Sequence, residues 1–162
     1  MKKRGEIQIH PLVEPLAYLL GTWRGEGRGH YPSIDDFSYS EESSWDHDGR
    51  PFLYYRQNTW NLATGAPSHS EAGFWRVKDG GRIELVIAHN NGVVEVQSGT
   101  FKGTRIEVAS TELSSAPTAM TIGGLARVFE VVGDSLSYEL AMAFDEHASQ
   151  NHLTATLQRQ SG

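Results

Sequence analysis

The chain contains no cysteine in its 162 residues. That absence excludes disulfides, thiolate metal sites, iron–sulfur clusters and cysteine nucleophiles together. Basic charge is also scarce, with 14 Lys and Arg against 20 Asp and Glu and a formal charge of −6. A protein that grips a phosphate backbone usually carries a basic stripe, so no nucleic-acid partner is expected. No apolar run approaches the ~18 residues of a membrane-spanning helix, and no membrane role is expected. The basic start, Lys2-Lys3-Arg4, runs into Gly5, Glu6 and Gln8 rather than an apolar stretch. It reads as part of a flexible segment over residues 1–10, not as a signal peptide. Long helical periodicity is missing as well. Only Pro11 to Leu20 spaces its apolar residues helically, and Pro15 limits it to about one turn. The expectation is a cytoplasmic protein with one domain spanning 1–162, long enough to bury roughly 68–70% of its unfolded surface.

Glycine is plentiful, at 17 residues, and falls between short runs that alternate apolar and polar side chains. This is the pattern of many short antiparallel strands. Ten are predicted: 23–31, 37–47, 52–62, 68–77, 82–89, 93–101, 104–110, 126–132, 135–144 and 151–159. Turn signals join most of them, among them Asp48-Gly49, Asp79-Gly80-Gly81, Asn90-Asn91-Gly92, Lys102-Gly103 and Gly133-Asp134. Alternate side chains point to opposite faces of a strand. In 135–144, Leu136, Tyr138, Leu140, Met142 and Phe144 share one face, and Ser135, Ser137 and Glu139 lie on the other. Each strand thus has a wet and a dry side, with almost no helix to cover a flat sheet. The predicted fold is all-β: a closed antiparallel up-and-down barrel of about ten strands, preceded by a short N-terminal helical turn. Eight strands just fill their own lumen, so ten leave a cavity.

One segment stands apart: Gly21-Thr22-Trp23-Arg24-Gly25-Glu26-Gly27-Arg28-Gly29-His30-Tyr31-Pro32. By parity, Gly25, Gly27 and Gly29 share one face with Trp23 and Tyr31. Three bare positions in a strand need a reason, because glycine there costs stability. Either something flat or bulky lies against this backbone, or the strand bends sharply at a barrel corner. A nucleotide-binding glycine loop is excluded, since Pro32 follows where a helix would have to begin. Paired carboxylates such as Asp35-Asp36 and Glu41-Glu42 read as solvated charges. No serine stands in a nucleophile-elbow context.

The pattern GxWxGxGxGxYP in this segment resembles the signature of the nitrobindins, ferric-haem β-barrels related in shape to the lipocalins and fatty-acid-binding proteins. Pro51-Phe52-Leu53-Tyr54-Tyr55, His69-Ser70-Glu71-Ala72-Gly73-Phe74, Leu136-Ser137-Tyr138 and Asn151-His152-Leu153 with Leu157-Gln158-Arg159-Gln160 are similar to further stretches of that family. The resemblance covers Leu16 to Gln160. It implies one haem b per chain, with His152 as the axial iron ligand. It also implies isomerisation of peroxynitrite to nitrate and binding of nitric oxide, by a monomer or weak homodimer. His69 would face the cavity near the open iron position, Met142 would line it, and Ser33 would contact haem from the place where the family often has Thr. Met120 stands where the family commonly has a Lys that meets a haem propionate, a charge for which Arg127 or Lys102 could compensate.

Strict alternation opposes one of these roles. Leu153, Ala155 and Leu157 form the apolar face of the last strand, which turns His152 outward unless a bulge shifts the phase. Three other readings of the barrel stand beside this one, the last an empty structural barrel. A carrier of a fatty acid or other apolar ligand would use interior Arg and Tyr as a carboxylate clamp, and Tyr54 and Arg56 share a face. A non-enzymatic nitric-oxide or haem sensor would share the cofactor but not the reaction.

Overall fold

The computed structural model describes residues 6–144 and 147–162. Ten antiparallel strands close into a barrel: β1 (Gly21–Tyr31), β2 (Ile34–Asp46), β3 (Phe52–Asn61), β4 (Pro67–Lys78), β5 (Arg82–His89), β6 (Val93–Lys102), β7 (Arg105–Ser115), β8 (Ile122–Val132), β9 (Ser135–Phe144) and β10 (His147–Arg159). Each strand pairs with its neighbour in sequence, and β1 closes the ring by pairing with β10, Trp23 opposite Arg159 and Gly29 opposite Leu153. The up-and-down order expected from the turn signals is the order observed. Gly103 and Gly133 adopt φ of +56° and +59° in their turns, a backbone region that side chains resist.

The expected helical turn is a 3-10 segment, Glu14–Leu19, with Pro15 in its first turn, where a missing N–H costs nothing. It closes the end of the barrel at which β1 begins. Val13, Leu16 and Leu19 are fully buried there. Trp23 Nε1 donates to the Leu19 carbonyl at 2.8 Å, while Arg159 donates to the carbonyls of Tyr18 and Leu20 and stacks over the Trp23 ring at 4.3 Å. Residues 1–5 of the segment expected to be flexible lie outside the described residues. Ile9, from the same segment, packs against the core.

Along its axis the lumen has three layers. The closed end is apolar and filled by Trp23, Trp45, Trp75, Leu53, Ile83, Leu136 and Leu157. The middle is a buried polar layer holding Glu41, Ser43, Gln57, Glu71, Glu95, Gln97 and Arg127. The opposite end is hollow. Between these layers the bare glycine face finds its reason. A Cβ on Gly27 would fall inside the Tyr39 ring, and one on Gly29 inside the Phe37 ring. The flat groups lying on this strand are the protein's own aromatics, reaching across from β2. At Gly25 a Cβ would instead strike the β10 backbone, so the strands themselves approach closely there.

Candidate functional site

At the hollow end a cavity of about 290 Å³ opens between the strands. Its wall includes Tyr31 and Phe37 from β1 and β2, His69 and Glu71 from β4, His89 from β5, Leu125 and Arg127 from β8, Leu140 and Met142 from β9, and His152 from β10. A larger hollow, about 730 Å³, lies against outward-facing residues such as Arg28, Glu139 and Thr154 and holds none of the predicted site residues.

His152 reaches the interior through a bulge. On β10, Asn151 pairs with Ala141 but Leu153 pairs with Leu140, so one residue is extra on this strand. The extra residue breaks the alternation that would have faced the imidazole outward, and His152 is only 8% exposed. Its Nδ1 lies 2.7 Å from the His30 carbonyl oxygen. A carbonyl can only accept, so Nδ1 carries the proton and Nε2 keeps its lone pair. Burial pushes the pKa down against the opposing pull of that hydrogen bond, which keeps the ring neutral. The Tyr31 ring packs edge-on against it, with centroids 3.9 Å apart. The result is a buried, oriented, neutral imidazole with one free nitrogen, the form in which histidine binds metal.

The rest of the sequence-derived set divides. Met142 is buried with Leu125 and Leu140, packed by half-buried Tyr31, Ile122 and Leu153, and forms an apolar wall. His69 is half-buried on the inward face of β4 and lines the same cavity. Ser33 and Met120 do not join them. Ser33 is exposed in the turn after Pro32, and Met120, 49% exposed, stands in the loop between β7 and β8. Neither lines the cavity, because both belong to turns beyond the last paired rung. Lys102 cannot replace the missing cation, since its turn lies at the closed end. Arg127 is inside but already engaged.

That engagement reveals residues the sequence reading passed over. Arg127 donates to Glu71 Oε1 at 2.5 Å and to Glu95 Oε1 at 2.9 Å. His89 Nε2 lies 2.8 Å from Glu95 Oε1, and Tyr55 donates to Glu71 Oε1 at 2.7 Å. Burial alone raises the Glu71 pKa, but the Arg127 charge and hydrogen bonds from His69 and His89 outweigh it and hold the carboxyl well below the usual range. Burial likewise lowers His89, yet its bonds to Glu71 and Glu95 bring it up to about 9. Glu41, read as a solvated charge, is in fact 2% exposed. It accepts from Tyr138, Ser43 and Gln57 but meets no cation in this set of contacts, and burial raises its pKa. Parity held the signal: Glu41 alternates with Tyr39, Ser43 and Trp45, all inward.

The fold and site define a ten-stranded barrel with one sealed end and an inward imidazole at the other. The family model described as "THAP4-like, heme-binding beta-barrel domain" matches residues 12–159. "Peroxynitrite isomerase 2" of Mycobacterium marinum is 44% identical over 157 residues, covering 94% of this chain and 98% of that protein. "Peroxynitrite isomerase Rv2717c" of Arabidopsis thaliana is 44% identical over 153 residues, covering 93% and 90%. The crystal structure of Rv2717c from M. tuberculosis superposes with a TM-score of 0.89 at 41% identity, covering 95% of this chain and all of that one. The chain belongs to the THAP4-like, heme-binding β-barrel family, in agreement with the nitrobindin resemblance of its motifs.

Proposed function

We propose that this protein is a haem-dependent peroxynitrite isomerase, which binds one ferric haem b per chain through Nε2 of His152 and also binds nitric oxide. The observation that carries the reading is the imidazole itself: buried, neutral, and fixed through Nδ1 so that only Nε2 is free. The family and the names of its curated relatives agree with it.

Bound haem supplies a Lewis-acidic iron at which peroxynitrite rearranges to nitrate. The chain's own residues do the rest. The His30 carbonyl and the Tyr31 ring hold the His152 ring in one orientation, a constraint that tunes ligand strength. Leu125, Leu140 and Met142 exclude water from the wall beside it. No acid, base or nucleophile is required of the protein, consistent with a sequence that shows no catalytic triad and no serine in a nucleophile-elbow context. Arg127, held by two carboxylates, is unavailable to a haem propionate. Cofactor affinity therefore rests on the imidazole and the apolar wall.

The carrier reading loses its support. Tyr54 is 38% exposed and Arg56 is exposed with it, so both point out of the barrel, and the one buried arginine described is already neutralised. No helix among the described residues is long and apolar enough to cross a membrane. Within this proposal the chain acts on small molecules as a monomer or weak homodimer in the cytoplasm, and its acidic charge fits a partner other than nucleic acid. The test is spectroscopic. Haemin added to the purified protein gives a Soret band that His152→Ala abolishes, and stopped-flow decay of peroxynitrite is faster than with free haemin. A band that survives His152→Ala overturns the ligand assignment.

A further inference from the structure

In the same cavity, three ligand atoms converge: His69 Nε2, Glu71 Oε2 and His89 Nδ1. His69 Nε2 lies 3.1 Å from Glu71 Oε2 and 3.0 Å from His89 Nδ1, and His89 Nδ1 lies 3.1 Å from Glu71 Oε2. The triangle is nearly equilateral, and protons cannot satisfy all three of its edges. With a proton on only one nitrogen, the other nitrogen and the carboxylate oxygen face each other as two acceptors. With protons on both nitrogens, the His69–His89 edge becomes two donors at 3.0 Å. A cation bonded to all three atoms satisfies every edge at once.

We propose that His69, Glu71 and His89 form a second metal site, distinct from the haem position, that takes a divalent first-row transition ion. Three ligands about 2.1 Å from an ion and at right angles to one another stand about 3.0 Å apart, which is the spacing found here. Two imidazoles and one carboxylate on one face of an ion favour iron(II) or zinc over magnesium or calcium, and they leave further positions open. The surroundings complete the site. His89 turns its other nitrogen to Glu95, the carboxylate–histidine arrangement that orients metal ligands. The other oxygen of Glu71 is held by Tyr55 and Arg127, while Oε2 faces both histidines and takes a longer bond, 3.3 Å, from Arg127. His69 is half-buried at the edge of the cavity, which gives an ion its route in.

The experiment is zinc titration of chelator-stripped protein, followed by calorimetry and equilibrium dialysis on both haem-free and haem-loaded preparations. The wild type takes up one zinc per chain. His69→Ala and His89→Ala each weaken that uptake by more than the roughly 100-fold that loss of a supporting partner can cost. Glu95→Gln weakens it by about 10–100-fold. His30→Ala, which removes an exposed histidine–aspartate pair, leaves it unchanged. X-ray absorption on the zinc-loaded form reads two imidazole ligands. Circular dichroism of each variant separates loss of the site from loss of the fold. His152→Ala removes haem but not zinc, which keeps the two sites separable. Absence of stoichiometric zinc in the wild type overturns the proposal, as does unchanged uptake in folded His69→Ala or loss of uptake in His30→Ala.

Discussion

At the end of the barrel where β1 begins, three tryptophans and a capping 3-10 turn fill the lumen. At the other end, the same strands enclose a cavity and point histidines into it. The difference lies in what the inward positions carry. Near the cap they hold large apolar groups, and burial of each stabilises the fold by about 1.5–3 kcal/mol. Toward the mouth they hold Thr59, His69, His89 and His152, which contribute far less to cohesion but can bind a ligand. The polar layer between them separates a part that makes the barrel stable from a part that makes it useful.

The largest effect should come from the sealed end. Trp75→Ala is expected to cost about 3–5 kcal/mol, whereas His152→Ala in haem-free protein costs a fraction of that while abolishing haem binding. Urea melts paired with haem absorbance check the division. Comparable losses from the two variants would show that both ends carry the fold.

The middle layer comes next. Arg127→Met leaves buried Glu71 and Glu95 to share His89 as their cation, and is expected to cost about 3–5 kcal/mol at neutral pH. Both carboxyls have depressed pKa values in the folded state. Their stabilisation is therefore present above the ordinary value of 4.5 and is lost as pH falls through the folded values. Arg127→Met should flatten that acid-side loss, as read from melts across about pH 3 to 7.

The smallest effect should be at Glu41, whose pKa is raised. Here the folded chain keeps a proton that the unfolded chain releases, so this group's contribution falls as pH rises above 4.5. Glu41→Gln should remove the decline and shift stability at neutral pH by at most about 1.5 kcal/mol. An acid-side change in this variant, in place of the flattening above 4.5, would mean that Glu41 is ionised like its neighbours.

The strands were most legible where burial is strictest. Ser135–Phe144 and Arg82–His89 were predicted to their observed ends, because their alternation is unbroken. The shortfalls cluster at the hollow end. The last residues of β7, Thr111 to Ser115, and the first of β8, Ile122 to Leu125, were missed. Over Thr111 to Ser115 the strand outruns the core and both faces meet solvent, and Gly123-Gly124 interrupt the alternation ahead of buried Leu125, so the period of two fades. The site was partly legible. The resemblance pointed to His152, while alternation opposed it, because the bulge that turns it inward has no composition of its own. Arg127 was singled out only as a possible partner for a haem propionate, and Glu95, which alternates with inward Val93 and Gln97, was passed over.

The bulge has an evolutionary corollary. A strand's inside and outside are set by whether the count of residues along it is odd or even, so removing one codon between Asn151 and Leu153 would delete the imidazole and restore even pairing with β9 without touching the sealed end. Chemistry and scaffold in this barrel are thus separately heritable. A lineage could lose the first by an in-frame deletion and keep the second as a plain container.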